Sequence, residues 1–232
     1  QQDYELITKK LNVTLSVIRS LEDQGVLEIQ EEETFRNPVH YQKKESGPLT
    51  HTPEQQVAID TFWKDYSQGH YGTYLVYGVT GSGKTEVYIE MINRVVSQGK
   101  QAIMLIPEIA LTYQTVMRFY ARFGNRVSIL NSRLSKGERS DQMERVRRGE
   151  VDVMIGPRSA LFTPFSHLGL IVIDEEHEPT YKSEQVPRYH ARETAIRRAQ
   201  IEQASVVLGS ATPSVEAFSW CQGGSCTMLE LK

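Results

Sequence analysis

Eight consecutive residues, Gly78-Val-Thr-Gly-Ser-Gly-Lys84-Thr85, constrain what this chain can fold into more than any other stretch. They satisfy the pattern GxxxxGK[ST]. The apolar run Tyr74–Tyr77 stands before them and a helical pattern opens at Glu86. A strand, a glycine-rich turn and a helix in that order make a phosphate-binding loop. Glycines let the backbone curl until successive amides point at anionic oxygens. The new helix adds the positive end of its dipole at the same spot. On this reading Gly78, Val79, Thr80, Gly81, Ser82 and Gly83 cradle phosphates. The Lys84 ammonium reaches the β- and γ-phosphates, and the Thr85 hydroxyl ligates magnesium. The expected ligand is a nucleoside triphosphate, ATP with Mg2+.

A second motif completes such a site. Leu170-Ile-Val-Ile-Asp174-Glu175-Glu176-His177 is an apolar strand ending in acids, with Asp174 lying 90 residues beyond Lys84. The carboxyl end of a buried strand is where α/β folds bind ligands. Asp174 is the expected magnesium holder, and Glu175 the group that orients and deprotonates the attacking water. His177 is placed to sense the γ-phosphate, whereas Glu176 reads as solvent-facing.

The rest of the chain from about residue 51 supports the same architecture. Short apolar runs recur at Ala102–Ile106, Val127–Leu130, Val151–Ile155, Leu170–Ile173 and Ser205–Leu208. Helical patterns at Glu86–Ser97, Leu111–Arg122 and Arg192–Gln203 separate several of them. Strands covered by helices on both faces read this way, so the fold class is α/β with a mostly parallel sheet.

Residues 1–36 differ in character. Leu6, Ile7 and Leu11 form one apolar stripe; Thr14 caps a second helix carrying Leu15, Ile18 and Leu21, which Gly25 ends. Val26–Ile29 follows as a first wing strand, giving a small winged-helix domain. Its candidate recognition helix holds one cation, Arg19, and its wing is acidic (Glu28, Glu31, Glu32, Glu33). Groove reading needs positive charge, so a positioning role is expected. Residues 37–50 read as a linker.

With 232 residues, 39% hydrophobic and 24% charged, the chain has the make-up of a globular protein. No apolar run is long enough to span a bilayer, so no membrane partner is expected. The N-terminus lacks a signal-peptide pattern, and the missing initial Met points to a piece of a longer chain. Cys221 and Cys226 have no metal-ligand spacing and read as reduced thiols. The net charge of -3 does not advertise nucleic-acid binding, yet residues 116–148 hold nine basic residues against three acids. That stretch is either a nucleic-acid surface or a solvated helix face.

Several loops carry groups suited to a nucleic-acid strand. Thr112, Arg158 and Ser159 follow apolar runs, and such donors grip a phosphate backbone without reading sequence. The alternative for Arg158 is a pair with a neighbouring acid. Tyr181, Tyr189 and His190 beside Lys182, Arg188 and Arg192 make an aromatic-basic loop, in which rings stack bases and cations attract the strand. Tyr189 as core packing is the alternative. Thr52-Pro-Glu-Gln55 is a capping box, and Thr212 before Pro213 reads as a helix N-cap.

Taken in order, "GVTGSGKTEVY", "PEIALT", "GPRSALF", "DEEH" and "GSATPS" resemble the successive motifs of superfamily-2 helicases. "LGLIVIDEEHEPTYK", "YKSEQVPRYHARETA" and "VVLGSATPSVEAF" narrow the resemblance to the replication-restart DNA helicases, over nearly all of residues 48–232. The resemblance implies a RecA-like lobe, the first of two motor lobes of an ATP-dependent 3′-to-5′ helicase. It further implies that Gln55 contacts adenine, that Ser210 and Thr212 link the Asp174–Glu175 site to the other lobe, and that the aromatic-basic loop couples DNA binding to hydrolysis. Single-stranded or forked DNA, the second lobe, single-strand-binding protein and primosome-loading proteins are the implied partners, in the bacterial cytoplasm at the nucleoid. Zinc is implied only outside this stretch. Neither an arginine finger nor second-lobe motifs follow Ser214, so these residues alone are expected to bind ATP with little turnover. A RecG-like or restriction-type translocase and a non-hydrolysing nucleotide sensor are the competing readings.

Overall fold

The computed structural model describes residues 14–27 and 50–231, which belong to two compact units divided between Thr34 and Phe35. In the first unit, α1 (Leu15–Asp23) buries Ile18 and leaves Arg19 exposed. Thr14 takes the N-cap position with extended backbone. Its hydroxyl pairs with that of Ser16 at 2.9 Å and caps no backbone amide, which corrects the sequence expectation. Gly25, at φ 69°, turns the chain out of the helix, a conformation glycine adopts without strain. The expected first helix, the acidic wing and the linker up to residue 49 lie outside the described residues.

The second unit is built on a seven-stranded sheet in which all neighbouring strands run parallel. Its strands are β1 (Thr73–Gly78), β2 (Gln101–Leu105), β3 (Val127–Ile129), β4 (Val153–Gly156), β5 (Leu168–Ile173), β6 (Ser205–Ser210) and β7 (Thr227–Leu231). They lie in the order β3-β4-β2-β5-β6-β1-β7. The first six are the apolar runs read from sequence. β7 escaped that reading because only Leu229 and Leu231 are buried in it, on an edge beside β1.

Neighbouring residues on each strand feed opposite faces of the sheet. Val76, Met104, Val172 and Val207 pack under α2 (Pro53–Ser67), α3 (Lys84–Val96) and α4 (Tyr113–Phe123) through Ile59, Phe62, Val87, Ile92 and Phe119. Leu75, Ile103, Ile171 and Leu208 face the other way, towards α5 (Lys136–Arg147), α6 (Ala191–Glu202) and α7 (Val215–Gln222). α6 presents Ala191, Ala195 and Ala199, spaced one turn apart, so it sits close on the sheet.

The basic stretch contains α5, a helix with almost no apolar face. Ser135 and Glu138 form a reciprocal capping box at its start. A buried polar cluster holds its inner side: Ser128 Oγ donates to Gln142 Oε1 at 2.8 Å, as does Arg145 Nη1 at 2.9 Å, and Arg145 Nη2 donates to the Asn125 carbonyl at 2.7 Å. Much of the positive charge is matched locally. Arg118 pairs with Glu86, Arg122 with Glu90, Arg126 with Asp152, and Arg147 and Arg148 with Glu144. For these five arginines the ion pairs favour the second of the two sequence readings, a solvated helix and loop surface.

Candidate nucleotide-binding site

β1 runs directly into the loop at Gly78, and α3 begins at Lys84. Gly81 and Gly83 stand at φ 87° and 82°, where a side chain is strained. Gly83 also has no room for one: a Cβ there would fall 2.2 Å from Gln55 Nε2. Gln55 does two things at once. Its Oε1 accepts from the Thr52 amide at 3.0 Å in the capping box, and its Nε2 donates to the Ser82 carbonyl at 3.0 Å. The α2 cap is thus tied to the phosphate loop. Lys84, nearly buried, donates from Nζ to the carbonyls of Gly78 (2.8 Å) and Val79 (3.4 Å). Among the described residues the Ser82 hydroxyl is buried without a hydrogen-bond partner. Val79, Thr80 and Gly81 are exposed, and Thr85 is half-buried at the first turn of α3. An ammonium held over the loop and an unengaged hydroxyl inside it fit an anion of phosphate type.

Strand order explains how distant motifs meet. β6 lies between β1 and β5, so the loop after β1, the Gly209-Ser210 end of β6 and the acids after β5 share one sheet edge. Asp174 is anchored by its amide, which donates to the Leu105 carbonyl at 2.9 Å. Two tyrosine hydroxyls hold it as well: Tyr88 donates to Oδ1 at 3.3 Å and Tyr181 to the Asp174 carbonyl at 2.7 Å. Burial, reinforced by the Glu175 carboxylate, pushes the Asp174 carboxyl up to about 6, with Lys84 pulling against both. A half-buried carboxylate crowded by another acid fits a divalent cation, which would relieve that repulsion. Glu175 has φ 47°, an uncommon conformation for a non-glycine residue, in the turn that aims the acids. His177 Nδ1 lies 2.8 Å from Ser210 Oγ, which also accepts from the Thr212 amide at 2.9 Å. The end of β6 and the acidic loop are therefore in direct contact.

Two sequence expectations are corrected here. Glu176 does not face solvent: it is 0% exposed, and its Oε2 accepts from Arg192 Nη1 at 2.5 Å and from Ser214 Oγ at 3.0 Å. Its Oε1 takes the Ser214 amide at 2.7 Å. A carboxylate can be buried when this fully engaged. The N-cap of α7 is Ser214, whose Oγ accepts from the Ala217 amide at 3.2 Å, and not Thr212. Proline at position 213 fits either register; the cap follows the residue that Glu176 and Arg192 grip.

The candidate nucleic-acid residues divide in the same way. Tyr181 is 1% exposed and offers no face to a base; its part is the bond to Asp174. Arg192 is likewise buried, over the Trp220 ring at 5.0 Å, so it does not attract a strand. His190 caps α6, accepting from the Arg192 amide at 3.3 Å. Lys182 and Arg188 remain exposed, and Tyr189 is half-buried with its ring edge-on to the exposed Phe162 at 5.2 Å. Among the described residues Arg158 pairs with no acid. It donates to the carbonyls of Thr180 (2.7 Å) and Lys182 (3.0 Å), fixing the backbone of the aromatic-basic loop. Ser159 and Thr112 are exposed, Thr112 capping α4 by accepting from the Thr115 amide at 3.2 Å. Tyr88 and Ser214 were missed altogether. For Tyr88 a signal existed, since it lies one turn after Lys84 and on the same side of α3.

A parallel sheet with a phosphate loop on one strand and an Asp–Glu pair two strands away defines a P-loop nucleotide-binding lobe. The chain belongs to the DEAD/DEAH box helicase family, whose model matches residues 52–219. It is 44% identical over 229 residues to the replication restart protein PriA of Bacillus subtilis (strain 168), covering 97% of this chain and 28% of that protein. Against the replication restart protein PriA of Chlamydia pneumoniae it is 43% identical over 229 residues, covering 94% and 30%. The chain thus spans under a third of the length of these relatives. Among solved structures, RecG bound to a three-way DNA junction superposes with a TM-score of 0.60 at 22% identity, over 80% of this chain and 24% of that one. The helicase MrfA bound to DNA gives 0.53 at 18% identity, over 77% and 27%. Both likenesses show the fold.

Proposed function

We propose that this chain is the ATP-binding first motor lobe of a 3′-to-5′ DNA helicase that acts in replication restart, with residues 1–36 as a winged-helix domain, 37–50 as a linker and 51–232 as the lobe. The observation that carries the reading is the meeting of three motifs on one sheet edge, where His177 touches Ser210 beside the Asp174–Glu175 acids. The phosphate-loop amides and Lys84 take the β- and γ-phosphates once the ammonium leaves the Gly78 and Val79 carbonyls. Thr85 and Asp174 would hold Mg2+, which neutralises charge on the phosphates when bound. Glu175 takes the proton of the attacking water. Gln55, already packed on the loop, turns its amide to the adenine edge.

DNA is gripped by Thr112, Ser159, Lys182, Arg188 and Tyr189, without reading sequence. Arg158 and Tyr181 carry the state of that loop back to Asp174, and Ser210 with Thr212 carry the nucleotide's state to a second lobe. Such a lobe would supply the arginine that stabilises the transferring phosphoryl group. Forked DNA, single-strand-binding protein and primosome-loading proteins are the proposed partners, as the similarity to the restart proteins suggests. The test is a titration of the chain with a fluorescent ATP analogue and Mg2+, with and without forked DNA. Magnesium-dependent binding whose affinity changes with DNA supports the reading; no binding in either condition sinks it.

A further inference from the structure

We infer that Tyr88 is a positioning residue for Asp174, restraining the carboxylate that would hold Mg2+; this rests on the nucleotide reading above. Tyr88 lies on α3 four residues beyond Lys84, fully buried, with its hydroxyl donating to Asp174 Oδ1 at 3.3 Å. The sheet makes way for that hydroxyl. At Gly209, the first residue of "GSATPS", a Cβ would lie 1.6 Å from Tyr88 Oη and 2.6 Å from Cζ. Glycine is therefore required on β6 for the phenol to reach the acid, and a phenylalanine filling the same core would leave the carboxylate without that donor. The Asp174 main chain is fixed separately, by Tyr181 Oη at 2.7 Å on its carbonyl. One hydroxyl holds the peptide and the other holds the carboxylate. With Oδ1 engaged by Tyr88, rotation of the carboxylate about its own axis is restrained, and its approach to a cation is set before the nucleotide arrives. The same helix carries Lys84 and Thr85 at its start, so one rigid element positions the phosphate-binding ammonium, the hydroxyl that would hold Mg2+ and the group that orients the acid.

The experiment measures affinity for a fluorescent ATP analogue in EDTA and in Mg2+, for the 232-residue chain and for Tyr88→Phe, Asp174→Asn and the double variant. Tyr88→Phe should leave binding in EDTA unchanged and reduce the enhancement by Mg2+ about 3- to 10-fold, as befits one long hydrogen bond to a charged group. In the Asp174→Asn background Tyr88→Phe should add no further loss. An enhancement equal to that of the unaltered chain overturns the inference. So does a loss that persists in full when Asp174 is already asparagine, because that would mark general loosening of the core. No magnesium enhancement in the unaltered chain would instead overturn the nucleotide reading, and this inference with it. Should Tyr88→Phe not fold, the hydroxyl proton of Tyr88 in the unaltered, tyrosine-labelled chain supplies the answer by NMR. Its resonance should shift when Mg2+ and ADP are added together and stay still with ADP alone, whereas a resonance indifferent to Mg2+ overturns the inference.

Discussion

The Glu176 carboxylate and the Arg192 guanidinium meet at 2.5 Å inside the protein, with side-chain exposures of 0% and 6%. They join the turn after β5 to the first residues of α6, and through Ser214 to the start of α7. The aromatic-basic loop is therefore closed at its far end by a residue clamped to the DEEH turn.

Breaking this pair should be costly. Arg192→Ala leaves an uncompensated buried carboxylate and should destabilise the second unit by about 3–5 kcal/mol. Arg192→Met combined with Glu176→Gln should recover part of that loss, because no buried charge remains and the amide oxygen can still accept from the Ser214 amide. Urea unfolding of the three proteins decides it. A single variant with an unshifted midpoint would show that the pair contributes little.

Asp174 gives the chain a pH signature. Its carboxyl titrates at about 6 in the folded protein against 3.8 as the ordinary value, facing Glu175, Lys84, Tyr88 and Tyr181. A raised acid pKa means that the folded state holds the proton more tightly. This group's contribution is therefore most favourable below about pH 4, fades as pH rises towards 6 and stays lost above. Asp174→Asn should raise stability at pH 8 by on the order of 2 kcal/mol and leave it unchanged near pH 4. Thermal melts at both values test the sign. In the unaltered chain Mg2+-dependent nucleotide binding should weaken below about pH 6, where the carboxyl takes up its proton.

Most of the sheet and the phosphate loop were legible because they are local: an apolar run, a glycine pattern and a helix start are each written within about ten residues. What could not be read was long-range pairing. Glu176 looks like a surface acid until Arg192 and Ser214 are brought to it, and Tyr181 looks like a stacking ring until β5 is seen to place the Asp174 carbonyl under its hydroxyl. α5 was hidden for another reason. Its inner face is polar, held by Ser128, Gln142 and Arg145, so it lacks the apolar stripe by which helices are recognised.

The two tyrosines of the aromatic-basic loop should separate cleanly. Tyr189→Ala, at a half-buried ring, should weaken single-stranded DNA binding by about 1–3 kcal/mol if a base stacks there. It should change the melting temperature far less than Tyr181→Ala, which empties a buried site and removes the bond to Asp174. DNA binding itself should fall as salt rises. Fluorescence anisotropy with a labelled oligonucleotide at two salt concentrations, run beside thermal melts, reads both effects. Equal melting losses for the two variants would refute the division of roles.

Gly209→Ala should be more damaging than an exchange of glycine for alanine in a strand normally is. Its new Cβ would collide with the Tyr88 hydroxyl, and the phenol has no exposed direction in which to move. Overpacking of this kind costs about 1–3 kcal/mol. A denaturation midpoint equal to that of the unaltered chain would mean that the phenol can leave Asp174 without penalty.

The central claim, that Gly78–Thr85 and Asp174 form a magnesium nucleotide site, is tested most directly by titrating a fluorescent ATP analogue in Mg2+ against the unaltered chain and Lys84→Ala. The ammonium is a charged donor to the phosphates, so its loss should weaken binding about 10- to 100-fold while the fold survives. Equal affinities for the two proteins, with circular dichroism showing both folded, would contradict the account.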